Sequence, residues 1–254
     1  MLSPTDSAIS LLNDIGWSEP SDMNMEEIAW SCGLVVKFAQ MDGSQGRIIM
    51  NQNEGIISIN NTINYQPKIN YIIAHEIGHS RLHRHLSVFN DSDKTLSEWY
   101  AQGPQEKEAN AFAAELLLPS DLFERKVKNK KLNLPLIEEI ANFFGASKTA
   151  TFLRYKDLGP FPVMLVFIED GVIKWKSHSR DFPYTWLVKG SKVPPFTVAG
   201  DYYYKNTEEK KPAKVDAMEW FPEDYKCQKD EKPKLWEQCF PTTKNSILTC
   251  LWTT

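Results

Sequence analysis

The pattern of apolar and polar positions divides this chain into two stretches of different character. Up to about residue 159, apolar positions recur mainly at helical spacing, interrupted by three short alternating runs; from Phe161 onward, alternating runs dominate. Residues 5–15 and 25–32 read as short helices, the second ending near Gly33. Residues 35–39, 46–50 and 56–60 follow as β segments, with Asp42-Gly43 and Asn53-Glu54-Gly55 as turns. The run INYIIAHEIGHSRLH at 69–83 then reads as a largely buried helix with a polar stripe, and Pro67 suits its first turn. A polar connection from about 86 to 102, holding Asp91, Asp93 and Glu98, is placed to line or cover a cleft. GPQEKEANAFAAELLLPS at 103–120 reads as one helix, opened by Gly103-Pro104 and closed by Pro119. Ser120 is placed to cap a short helix reaching about Lys128, and the basic run KVKNKK leads on from it.

Residues 134–159 have the spacing of a helix-turn-helix: a helix, a turn at Gly145, and a second helix capped by Ser147. DNA readout needs basic and amide side chains at the start of the second helix, and Lys148, Arg154 and Lys156 are a modest set. A structural or substrate-docking role is therefore favoured over DNA reading. The runs VMLVFI, GVIKWK, FTVAG, DYYYK and SILTCLW predict a β-rich C-terminal domain, which holds five of the eight tryptophans. Tryptophans at strand spacing are more often core than ligand platform. KNTEEKKPAK and KCQKDEKPK read as exposed charged loops.

Composition narrows the function classes. A chain of 254 residues with 42% hydrophobic residues holds one generous core or two modest ones. A net charge of −4 argues against a large nucleic-acid surface, so nucleic acid is not expected as the primary partner. Cys32, Cys227, Cys239 and Cys250 lack metal-type pairing and read as reduced thiols. With neither a signal peptide nor a bilayer-length apolar stretch, a cytoplasmic protein without a membrane partner is expected.

Chemistry concentrates in two helices. His75 and His79 lie one turn apart on one face, close enough to grip one metal ion, with Glu76 beside them. Four of the five histidines fall between positions 75 and 85. A tetrahedral catalytic zinc takes three protein ligands and keeps one open position, so a third ligand is required. The second helix offers Glu106, Glu108 and Glu115. Glu106 shares a face with Ala109, Asn110 and Ala113, small residues that permit close helix approach, while Glu108 points about 160° away from it. Glu106 is therefore the expected ligand, and Asn110, one turn later, is the expected hydrogen-bond partner of a histidine ligand. His83 lies about 12 Å along the axis from His75, too far to complete the same site, and reads as a packing residue or a support to the ligands. His85 and His178 read as structural or surface residues.

HEIGHSRLH at 75–83 and EKEANAFAAELLLP at 106–119 together resemble the ImmA/IrrE family of metallopeptidases, which pairs HE-x-x-H with E-x-x-A-N-x-F-A-x-x-L-L-x-P. The likeness runs from about residue 24 to about residue 158. It implies an α+β chain with a zincin-like core, His75, His79 and Glu106 as metal ligands, and Glu76 as catalytic base. Zinc is the implied ion, with manganese as the alternative. The family also implies a protein substrate, since its best-understood members cut a partner helix-turn-helix repressor and so release stress genes or a mobile element's transfer genes. The expected layout is a metallopeptidase domain at 1–130, a helix-turn-helix-like segment at 131–159 and a β-rich domain at 160–254. The competing expectation is a non-proteolytic regulator that binds a repressor or DNA through residues 134–159.

Overall fold

A computed structural model describes residues 2–51, 54–83, 103–231, 233–243 and 245–253, and the main chain alone of 88–92. The chain forms two compact units, Met1–Lys126 with Glu139–Ala150, and Val127–Glu138 with Thr151–Thr254. Helices and sheets are both present in quantity, an α+β composition.

The first unit opens with α1 (Pro4–Asp14), whose N-cap Ser3 accepts from the Asp6 N–H, and α2 (Met25–Ser31), begun by a reciprocal capping box of Asn24 and Glu27. Strands β1 (Leu34–Ala39), β2 (Ser44–Asn51) and β3 (Glu54–Asn60) follow. Helix α3 (Gln66–Leu82) carries His75, His79 and, at its C-cap, His83, and β4 (Val88–Ser92) lies within the polar connection. The sheet order is β1-β3-β2-β4, with β1 parallel to β3 and the other pairs antiparallel. Asn53, Asp93, Glu98 and His85 lie outside the described residues, so the expected cleft cover and one turn stand on sequence alone. Glu54 and Gly55 belong to β3 rather than to a turn, because both pair with β2.

Helix α4 (Pro104–Leu117) begins at N-cap Gly103 and ends before Pro119. Helix α5 (Ser120–Val127) corrects the role expected of Ser120. Its main-chain N–H and hydroxyl both donate to Oε1 of Glu115, so the buried glutamate does the capping. Helices α6 (Leu134–Phe144) and α7 (Lys148–Leu158) form the anticipated helical pair. Gly145 takes the left-handed conformation between them (φ 61), and Ser147 Oγ accepts from the Ala150 N–H. In the first unit, Phe123 of α5 stacks on Phe144 at 6.3 Å, and Asn70 of α3 donates to the Gly145 carbonyl at 2.9 Å.

The second unit is built on an antiparallel sheet of β5 (Val163–Glu169), β6 (Val172–His178), β7 (Ala213–Asp216), β8 (Lys234–Thr243) and β9 (Ser246–Trp252), in the order β6-β5-β9-β8-β7. Met164, Val166, Ile168, Ile247 and Leu251 join a core with Phe182, Trp220 and Phe221. Phe152 of α7 stacks on Phe240 at 4.6 Å. Strands β5 and β9 are buried on both faces, and their sequences are correspondingly mostly apolar, with Ser246 and Thr249 the polar positions of β9. Trp175, Trp220 and Trp252 are buried, whereas Trp186 is exposed.

Residues 196–205 correct the β reading of FTVAG and DYYYK, because 198–205 form helix α8 (Val198–Lys205). Thr197 accepts from the Gly200 N–H, while the buried Glu237 carboxylate accepts from the N–H groups of Val198 and Ala199. These acceptors satisfy the first-turn donors and override the β preference of the tyrosines. Two short helices, α9 (Ala217–Trp220) and α10 (Tyr225–Lys229), complete the unit, and α10 occupies part of the charged stretch expected to be loop. Asp224 caps α10, accepting from the main chain of Lys226 and Cys227, and its other oxygen accepts from Thr185 and Trp186. No helix among the described residues is long and apolar enough to cross a membrane.

Candidate metal centre

The site is held by two helices of the first unit. Helix α3 presents His75 and His79 one turn apart, with their Nε2 atoms 3.0 Å from each other. Helix α4 brings Glu106 to both: Oε2 lies 3.3 Å from His75 Nε2, and Oε1 lies 3.4 Å from His79 Nε2. Their ligating atoms all fall within 4.8 Å of one another, and no other such group occurs among the described residues. Two imidazole nitrogens and one carboxylate, converging from rigid helices, fit a zinc-type ion.

Gly78, at the fourth position of HEIGH, explains the closeness of the helices. A Cβ there would stand 3.2 Å from both Cα and O of Ala109, and 3.2 Å from the Phe112 ring. Glycine and alanine at the crossing thus let α4 lie against α3 at the depth where Glu106 reaches the histidines. Ala109, Phe112 and Ala113 are fully buried there. The sequence pattern had marked Ala109 and Ala113 as small contact residues; the complementary role of Gly78 emerges only once the helices are paired.

Burial polarises the site. His75 and His79 are each 2% exposed and Glu76 is 0% exposed, whereas the Glu106 side chain is 23% exposed. Hydrogen bonds from His75 and His79 hold the Glu106 carboxyl well below the usual range, outweighing its burial. Burial lowers His79 despite the opposing pull of Glu106, which favours the neutral imidazole that metal ligation requires. Gly46 of β2 clears space for Glu76: a Cβ there would lie 3.1 Å from Glu76 Oε1 and 2.4 Å from Ile72. No sequence signal identified Gly46.

Asn110 stands one turn past Glu106, where its Oδ1 accepts from the Tyr71 hydroxyl. The Tyr71 ring is 5.8 Å from that of His75. Tyr71 was missed, although its position four residues before His75 on the same helix was a usable signal. His83 ends the helix as its C-cap (φ −125, ψ 34) and reaches His79 and Glu108. Glu108 meets His83 rather than the His75–His79 pair, with Oε2 2.9 Å from His83 Nε2. His178 lies in the second unit, where Nδ1 contacts the Ser179 carbonyl.

Residues 31–156 match the family model described as the IrrE N-terminal-like domain. No curated protein matches the chain. Among solved structures, the chain is similar to a Mycobacterium tuberculosis transcriptional regulator at 13% identity and a TM-score of 0.61, covering 98% of this chain and 74% of that one. At that identity the likeness concerns the fold. Through residues 31–156, the chain belongs to the ImmA/IrrE family of metallopeptidases.

Proposed function

We propose that this protein is a metal-dependent endopeptidase of the cytoplasm that cuts a helix-turn-helix transcriptional repressor during a stress or mobile-element response. The observation that carries the reading is the convergence of His75, His79 and Glu106 beside the fully buried Glu76. Those three residues would hold zinc, or manganese in its place. When bound, such an ion supplies Lewis acidity, making a water more acidic and polarising a peptide carbonyl.

The chain's own contribution centres on Glu76. One of its carboxylate oxygens takes the proton from the attacking water, and the carboxylic acid so formed passes that proton to the departing amide nitrogen. A positioned general base contributes about 10²–10⁴-fold to such a step. Ile72 and Gly46, packed beside Glu76, keep bulk water from competing for that carboxylate. Asn110 steadies the first ligand through Tyr71, whose ring flanks His75. Residues 134–159 serve as a structural or substrate-docking unit rather than as a DNA reader.

The name of the mycobacterial neighbour supports a place in transcriptional control. It is equally compatible with a second reading, a regulator that binds a repressor or DNA through residues 134–159 without cutting. Incubating the purified chain with a helix-turn-helix repressor, taken first from any encoded beside it, with zinc or manganese, separates the two by intact mass. A single cut supports the peptidase; a stable complex with no cut supports the regulator.

A further inference from the structure

The metal reading uses one nitrogen of His79 and leaves the other to be explained. His79 Nδ1 lies 3.1 Å from His83 Nδ1, and His83 Nε2 lies 2.9 Å from Glu108 Oε2. A histidine that binds metal through Nε2 offers the lone pair there and carries its hydrogen on Nδ1. With a metal on Nε2, His79 Nδ1–H would therefore donate to His83 Nδ1. That assignment leaves the hydrogen of a neutral His83 on Nε2, where it donates to the Glu108 carboxylate. Each contact then has one donor and one acceptor. Reversing the His79 tautomer would take the lone pair from the metal side and set a hydrogen there instead.

We propose that His83, held by Glu108, is a positioning residue that fixes the tautomer and ring orientation of His79 for metal binding. The proposal rests on the metallopeptidase reading and deepens it. Two carboxylates two residues apart on α4 thus serve one site at different removes: Glu106 reaches the histidine pair directly, and Glu108 acts through His83. The geometry suits that division. His83 is buried and leaves the helical path at the C-cap, which carries its ring to Glu108, while the Glu108 side chain is 52% exposed. A hydrogen-bonded partner on the far nitrogen raises ligand basicity and spares the metal the entropy of ordering the ring.

The test is zinc affinity of the full chain, measured by competition with a chromogenic chelator, for wild type, His83→Ala, His83→Asn, Glu108→Ala and the His83→Ala/Glu108→Ala pair. His83→Ala should weaken zinc binding about 10–100-fold. His83→Asn should recover most of that loss, because its amide oxygen can accept from His79 Nδ1–H. Glu108→Ala should weaken binding by a smaller factor without moving the metal-free melting temperature, and should add nothing to His83→Ala. Wild-type affinity in His83→Ala, no recovery in His83→Asn, or a full further loss in the double variant overturns the proposal. If His83→Ala does not fold, Glu108→Ala decides, and unchanged affinity there overturns the link. Wild-type protein that binds no zinc overturns the metal site itself, whereas wild-type binding that survives His83→Ala overturns only the positioning role.

Discussion

Gly78→Ala tests whether the packing of α3 on α4 sets the site's dimensions. Alanine is the better helix former by about 1 kcal/mol, so propensity alone predicts a more stable protein. Packing opposes this. The new methyl would meet three heavy atoms at 3.2 Å, two of them backbone atoms of Ala109. Carbon contacts are optimal at about 3.5–4.0 Å, so each is short by a few tenths of an ångström. Side-chain rotation cannot relieve a clash with main chain; the helices must separate. Overpacking of this kind costs about 1–3 kcal/mol, leaving a net loss of roughly 0–2 kcal/mol. The larger consequence is local. Ala109 is three residues past Glu106, so displacement of α4 withdraws the carboxylate from imidazoles that it now meets at 3.3 and 3.4 Å. Metal sites tolerate distance changes of only about 0.2 Å, and a loss of at least tenfold in zinc affinity, about 1.4 kcal/mol, is expected. Urea unfolding and chelator competition provide the two readouts. Gly103→Ala, where a Cβ meets nothing within 4 Å, is the control; as a change at the N-cap of α4 it should cost about 1 kcal/mol or less and leave zinc affinity little changed. A Gly78→Ala protein that is more stable and binds zinc as tightly as wild type would refute the reasoning.

Two further outcomes follow from particular contacts. Asp224 is nearly buried, which acts to raise its pKa, but four main-chain N–H donors outweigh burial and hold it below the ordinary aspartate value. Its contribution to stability is therefore complete above the unfolded value of about 3.9 and is lost as pH falls through the lower folded value. Asp224→Asn, which turns an amide toward two of those donors, should cost the second unit about 2–4 kcal/mol and flatten the acid limb of its stability profile; an unchanged profile by circular dichroism would contradict this. Zinc at about 100 times its Kd should stabilise the first unit by about 2.7 kcal/mol, and a chelator should remove the gain. His75→Ala should show no zinc-dependent change in differential scanning calorimetry, and equal zinc shifts in the two proteins would count against the site.

The site was legible because its information is local. His75 and His79 are one turn apart, and helix periodicity alone puts them on one face; Glu106 stood out by sharing its face with Ala109 and Ala113. The β1, β2 and β3 segments were legible from alternation, and α6–α7 from the Gly145 break. What escaped depends on tertiary partners. Helix α8 was read as strand because aromatic runs favour strands, and the cap that reverses this comes from Glu237, thirty-odd residues away. Strand β8 was hidden among charged and polar residues, although Leu235 and Phe240 are buried by neighbours that only the sheet supplies. Glu108 was set aside by a helical wheel, which compares positions on one helix only. The wheel could not show that His83 leaves the helix and turns its ring toward Glu108. Gly46 and Gly78 carry no chemistry of their own, and their value lies in the atoms that approach them.

The central claim is that Glu76 moves the proton while His75, His79 and Glu106 hold the metal. Measuring zinc content and repressor cleavage side by side in wild type and Glu76→Gln tests both halves at once. The account predicts equal zinc in the two proteins and a loss of cleavage of at least about 100-fold in Glu76→Gln, the lower end of general-base contributions. Cleavage by Glu76→Gln at the wild-type rate would contradict it.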